Sequence, residues 1–387
     1  MMKGFFNLSH LSAGFTTVLV GYTSSVVIVI QAATASGANP AQIESWLLTL
    51  GVVMGLTSIL YSWFYKTPIV TAWSTPAAVM LAASAGQYSL PVVIGAFMFS
   101  GALFTLTGML APLTRALSKI PVPLGTAMLG AILLPFCAKA FTPLTDTPAL
   151  FALLFTSYLL AKHFVPRYTM LVLLLVSLGS ALALGSFQHA DLALRIATPI
   201  WVMPEFDWLA ILNLALPLYL ITMLSQNLPG IAMLKSYQYD APIKPILVGT
   251  GLATLMSAPF GGFSVNLAAI SAAICMNEDV DQDKAQRYRA VLWAGGFYLL
   301  AGIFAALVVN LFLALPKPIS AMLAGLALLG TLMMCLQSAF KIDEYREPAI
   351  LTFVITLSGA TLFGMSATLI GLVIGLAYLR LTTRPRP

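Results

Sequence analysis

Thr67–Gly86, TPIVTAWSTPAAVMLAASAG, is the stretch from which the rest of the chain can be read. Pro68 and Pro76 interrupt an apolar segment, and between them lies IVTAWST, rich in the β-branched and aromatic residues that favour an extended backbone. After Pro76 the residues AAVMLAASA suit a helix, and proline suits a first helical turn, where its missing N–H costs nothing. Ser74 and Thr75 stand ahead of it as candidate caps. The stretch predicts a short extended piece and then a half-length helix starting near Ser74. About ten residues at 1.5 Å each cover about 15 Å, half of a bilayer core about 30 Å thick. Such a helix starts at mid-membrane with its unpaired N–H groups facing inward.

The same order of breaker, extended piece, cap and small-residue helix returns at Ala258–Cys275, APFGGFSVNLAAISAAIC. An offset of 190 residues, about half the chain, lays Trp73-Ser74-Thr75-Pro76 on Phe263-Ser264-Val265-Asn266 and matches Ser74 with Ser264 and Ala78 with Ala268. Interrupted helices at corresponding positions of two halves point to the substrate site of a transporter. Two ordinary proline-kinked helices are the plainer alternative.

Composition sets the class. The 387 residues are 59% hydrophobic and 8% charged, and the mean hydropathy is +0.94, the signature of a polytopic membrane protein. No cleavable signal peptide is expected, because the apolar segment after Leu11 is a full span. Cys137, Cys275 and Cys335 lie far apart and suggest neither a disulfide framework nor a metal cluster. Segmentation gives fourteen spans, with the broken elements as spans 3 and 10 and the linker Ser186–Phe206 dividing the halves. With both termini in the cytoplasm, 16 Lys and Arg fall inside and 3 (Lys139, Arg195, Lys317) outside, as the positive-inside rule requires. Seven spans per half is odd, so the second half runs inverted relative to the first. The net charge of +6 therefore reports topology and does not imply nucleic acid. The expected fold class is an all-α polytopic membrane protein built as a 7+7 inverted repeat.

The acidic residues fall at span ends or in loops, and no Lys or Arg is placed at mid-membrane. An anion would have to be met by helix ends and neutral polar groups. Those groups cluster in spans 1, 3, 8 and 10. Tyr22, Ser24 and Ser25 lie in span 1, where small-residue packing is the competing role. Gln226 and Asn227 in span 8 are costly in lipid and must face protein or water, either as interhelical hydrogen-bonding groups or as substrate ligands. Trp73 and Phe263, just before the expected half-helix starts, either sandwich a flat ring or fill the core. Ser74, Thr75, Ser264, Val265 and Asn266 complete the candidate substrate-binding set. No metal or cofactor is called for. His10, His163 and His189 sit near span boundaries or in loops and join no site.

GYTSSVVIVIQAA in span 1, TPIVTAWSTPAA in span 3, SQNLPGIAML in span 8 and APFGGFSVNLAAI in span 10 together resemble the bacterial benzoate:proton symporter (BenE) family, over essentially the whole chain. The resemblance implies the fold shared with nucleobase:proton symporters and sulfate permeases, with short antiparallel strands in spans 3 and 10. It implies a core domain formed by residues 1–114 and 207–315 and a gate domain formed by 115–206 and 316–387. It also implies an aromatic carboxylate as the small-molecule partner, with protons as the coupled ion, in the bacterial inner membrane. A homodimer is compatible with it. One departure matters: the glutamates that couple protons in the nucleobase relatives fall here on Gln226 and approximately on Ile270, neither of which titrates. The proton would then travel with the substrate as neutral acid, or through water, or not at all. Other readings are a carrier of another small anion or nucleobase-like ring, a channel, and an integral-membrane enzyme. The enzyme reading is weakened because Glu278–Asp283, the one acidic cluster, looks like a solvated loop.

Overall fold

The computed structural model describes residues 7–110, 112, 117, 119–187 and 194–382. The expected core–gate boundary at 114/115, the basic residues Lys3, Arg115, Arg384 and Arg386, His189 and part of the dividing linker lie outside them.

Span 1 is two helices, α1 (Leu8–Thr23) and α2 (Val26–Ala35), meeting at 40° across Ser24-Ser25. The hydroxyls of both serines donate back to the Gly21 carbonyl, at 3.0 and 2.8 Å, which satisfies backbone that the break would leave open. There follow α3 (Pro40–Tyr65), β1 (Thr71–Trp73), α4 (Thr75–Ser84) and α5 (Leu90–Met109). Next come α6 (Val122–Lys139), α7 (Pro148–Phe164) and α8 (Thr169–Ala183). The second half holds α9 (Trp208–Ser236), α10 (Ile243–Ser257), β2 (Val265–Leu267) and α11 (Ile270–Met276). It continues with α12 (Tyr288–Ile303) and α13 (Ala305–Leu313), α14 (Lys317–Phe340), α15 (Asp343–Ser358) and α16 (Ala367–Thr382). Among the described residues seven helices are long and apolar enough to cross a membrane, or nine if each bent pair is one span. The shorter α7, α15 and α16 and the two half-helices fall below that length and lie, in chain order, where the other expected spans were placed.

The packing carries the repeat. Exchanging first-half elements for their second-half counterparts turns the pair α3 with α12 into α10 with α5, and both pairs are in contact. The same exchange maps α7 with α8 onto α15 with α16, and α6 with α15 onto α14 with α7. α6 and α14 pack on each other and map onto themselves. At the centre β1 and β2 pair antiparallel, with Thr71 opposite Leu267, Ala72 opposite Asn266 and Trp73 opposite Val265. The two half-helices therefore start back to back at the centre of the bundle.

A two-stranded sheet inside a bilayer has two edges to satisfy. Side chains of neighbouring helices do so. Ser58 and Ser62, one turn apart on α3, accept from Thr71 N–H (2.9 Å) and Ile69 N–H (3.0 Å). On the other edge Thr254 of α10 accepts from Val265 N–H at 3.1 Å, and Asn227 of α9 accepts from Leu267 N–H at 3.0 Å. Ser58 and Thr254 thus play the same part in the two halves.

α9 is not a uniform helix. It widens into π-turns at Ile211–Ala215 and Met223–Asn227. Pro217 and Pro229 each stand four residues after the centre of one of these turns, where a normal helix would need the N–H that proline lacks. Gly230, one residue on, lets β2 approach: a Cβ there would lie 2.6 Å from that of Leu267.

The second half of the linker crosses the molecule in extended form. Ala197 N–H donates to Ile303 O, Ile200 N–H to Ser45 Oγ, Val202 N–H to Pro259 O and Glu205 N–H to Pro91 O, all within 3.2 Å. Arg195 pairs with the buried Glu44 at 2.6 Å. At the opposite end α1 is latched to the acidic loop: Ser9 Oγ donates to Asp279 O, and the buried His10 pairs with Asp281 at 2.8 Å. The loop read as merely solvated is thus tied to the start of the chain.

Candidate substrate site

α4 begins where the sequence predicts. Ser74 is its N-cap, fully buried, and its hydroxyl accepts from Ala77 N–H at 3.2 Å. The other half-helix differs. β2 occupies Val265–Leu267 and α11 starts only at Ile270, so the strands correspond at an offset of 194 and the helices at 195, not 190. The matched alanines misled the register because small residues line both half-helices. The extra length is a turn through Gly261 (φ +92°) and Ser264 (φ +44°), both in the left-handed region. No side chain caps α11, whose N-cap is Ala269.

A cavity of about 500 Å³ lies against these starts. Ser24, Ser25, Trp73, Thr75 and Gln226 line it, as do Ala269, Ile270 and Ser271. The opposite wall comes from α6 and α14, through Thr126, Leu129, Leu328 and Cys335. Among the described residues, none of those lining it carries an ionised side chain. Trp73 is fixed by its indole N–H donating to Ser25 Oγ at 2.8 Å, and by the ring of Tyr22 packed at 5.2 Å.

The remaining predicted residues lie elsewhere. Tyr22 stands behind Trp73, buried, with its hydroxyl lacking a partner. Phe263 is fully buried in a cluster with Trp46 (5.9 Å) and Phe97 (5.5 Å), which rules out a sandwich with Trp73. The cause is the register shift: Phe263 precedes a strand, not a helix. Ser264, Val265 and Asn266 are buried in the turn and strand and cap nothing; the Asn266 amide donates to Ser264 O. Asn227 is spent on Leu267 and on Met223 Sδ at 3.2 Å. Sequence reasoning passed over Tyr298 and Ser271, which also reach the cavity. No local pattern in the sequence announces them, because both reach the cavity from elements that only the packing brings beside span 1.

Two half-helices starting at a short strand pair, with a cavity between them and a second set of helices, define a membrane transporter. The chain belongs to the BenE family: the sequence model described as benzoate membrane transport protein matches residues 4–381. It is 40% identical over 365 residues to the inner membrane protein YdcO of Escherichia coli (strain K12), covering 94% of this chain and 93% of that protein. It is 35% identical over 385 residues to the benzoate membrane transport protein of Acinetobacter baylyi, covering 100% of this chain and 98% of the relative. Among solved structures it superposes on the transmembrane domain of the cyanobacterial bicarbonate transporter BicA with a TM-score of 0.62 at 17% identity, covering 96% of each chain.

Proposed function

We propose that this protein is a secondary active transporter of benzoate or a similar aromatic carboxylate, coupled to protons, in the bacterial inner membrane. Fourteen spans place both termini in the cytoplasm. A core domain (residues 1–114 and 207–315) moves against a gate domain (115–206 and 316–387). The observation that carries the reading is the cavity itself, walled on one side by the half-helix starts and on the other by α6 and α14. Its aromatic and aliphatic surfaces, Trp73, Leu129 and Leu224, suit a flat ring. The carboxylate faces Gln226, Ser24 and the half-helix starts at Thr75 and Ile270, where neutral donors replace a fixed cation. With no titratable carboxylate among the described lining residues, the substrate binds as the carboxylate, takes up its proton in the site and crosses as the neutral acid. In the orientation set by the positive-inside rule the lining ends of α6 (Val122) and α14 (Ser338) are cytoplasmic, so this is an inward-facing state.

The test is uptake into proteoliposomes across aromatic carboxylates, nucleobases and inorganic anions, with an imposed pH gradient. Benzoate-like acids should accumulate when the far side is alkaline. Uptake of uracil or sulfate with none of benzoate would overturn the assignment.

A further inference from the structure

The turn between α7 and α8 carries a second, smaller cavity. It measures about 130 Å³ and is walled by Leu19, Val20, Thr23 and Ser24 of span 1 and by Pro166–Leu171. Val20 and Ser24 line both cavities, so the two spaces share a wall there. Arg167 is the charged residue among all those lining either space. Its guanidinium sits 6.0 Å from the centre of the Tyr168 ring, and among the described residues no carboxylate pairs with it. The turn is held in shape by Pro166, whose carbonyl accepts from Thr169 Oγ1 at 3.0 Å.

We propose that this small cavity is an antechamber for the substrate's carboxylate, and that Arg167 draws the anion to it from the cytoplasm and hands it on past Ser24. The inference rests on the function proposed above. Three observations support it together. Among the described residues no cation lines the main cavity, whereas Arg167 lines the space beside it. The unpaired guanidinium stands beside the wall that the two spaces share. Tyr168, next to it, offers a flat surface for an aromatic ring. Arg167 also belongs to the gate-side helices while Ser24 belongs to span 1, so the antechamber spans the joint between the moving parts. A cation at a cavity mouth raises the rate of anion encounter about tenfold or more, and salt removes the effect.

The experiment measures benzoate association and dissociation by stopped-flow tryptophan fluorescence, on the full-length protein in phosphatidylcholine nanodiscs, at low and high salt. Wild type, Arg167→Gln and Arg167→Lys are compared. The expected result is an association rate about tenfold lower in Arg167→Gln at low salt, a much smaller change in dissociation, and convergence with wild type at high salt. Arg167→Lys should keep most of the wild-type rate and salt slope. Wild-type rate and salt slope in Arg167→Gln would overturn the antechamber while leaving the proposed function intact. That includes the case in which Arg167 only grips lipid phosphate and its loss lowers thermal stability in anionic nanodiscs alone. A wild type that binds no aromatic carboxylate would overturn the function and the antechamber with it.

Discussion

In the π-turn at Met223–Asn227, adjacent amides point to different neighbours. Asn227 holds the backbone of β2 through Leu267, whereas Gln226 turns into the cavity. Removing each should therefore fail differently. Gln226→Leu should leave melting temperature nearly unchanged and cut benzoate uptake about ten- to a hundredfold, the value of a hydrogen bond to a charged group. Asn227→Leu strands a buried N–H and should cost about 1–3 kcal/mol, read as a lower melting temperature with uptake falling in step. Equal stability loss in both variants would show that Gln226 too is a packing group. The pair illustrates what a sequence can say about a site. That span 8 needs amides near Pro229 was legible, because uncharged polar groups in lipid demand partners. Which amide serves the strand and which the cavity was not, because it depends on the rotation that the π-turn introduces.

The strand pair shows the same limit for whole elements. Breaker, extended piece and half-helix were readable in span 3, down to the Ser74 cap, because proline and β-branched residues act locally. In span 10 the register slipped by about one helical turn because alanines were matched to alanines, and Phe263, Ser264, Val265 and Asn266 were carried to the wrong place. The true correspondence is written in the supporting hydroxyls, Ser58 and Thr254, which no local pattern announces. Ser58→Ala and Thr254→Val each leave a buried strand N–H unpaired, so each should lower stability by about 1–3 kcal/mol in thermal unfolding. Gly261→Ala should be worse than either. Its φ of +92° disfavours any side chain, and the new Cβ would fall 1.8 Å from a ring atom of Trp46. Full stability in Gly261→Ala would mean that the turn is free to rebuild.

At the scale of the molecule, composition and charge bias were enough to predict an inverted repeat, because the bilayer constrains span length and loop charge so tightly. The cavity's faces were not legible, because they depend on how α6 and α14 lie against the half-helices. Membrane-impermeant thiol reagents test the arrangement directly. A cysteine at Gly37 should label from outside, one at Glu278 from the cytoplasm, and the native Cys335 from the cytoplasm with benzoate protecting it. Labelling of Gly37 and Glu278 from one side would break the inverted arrangement. The uncharged lining of the main cavity has a further consequence. A carrier whose moving site holds no ionised group carries no protein charge across the bilayer when it returns empty. If the substrate crosses with its own proton, the loaded step carries none either. Each elementary charge moved across 100 mV would weigh about 2.3 kcal/mol, so the difference is measurable. Potassium diffusion potentials of either polarity, imposed on proteoliposomes at fixed pH on both sides, should leave benzoate uptake unchanged. The cell's electrical potential would then neither drive nor resist this cycle, and the acidity difference alone would set how far the acid accumulates.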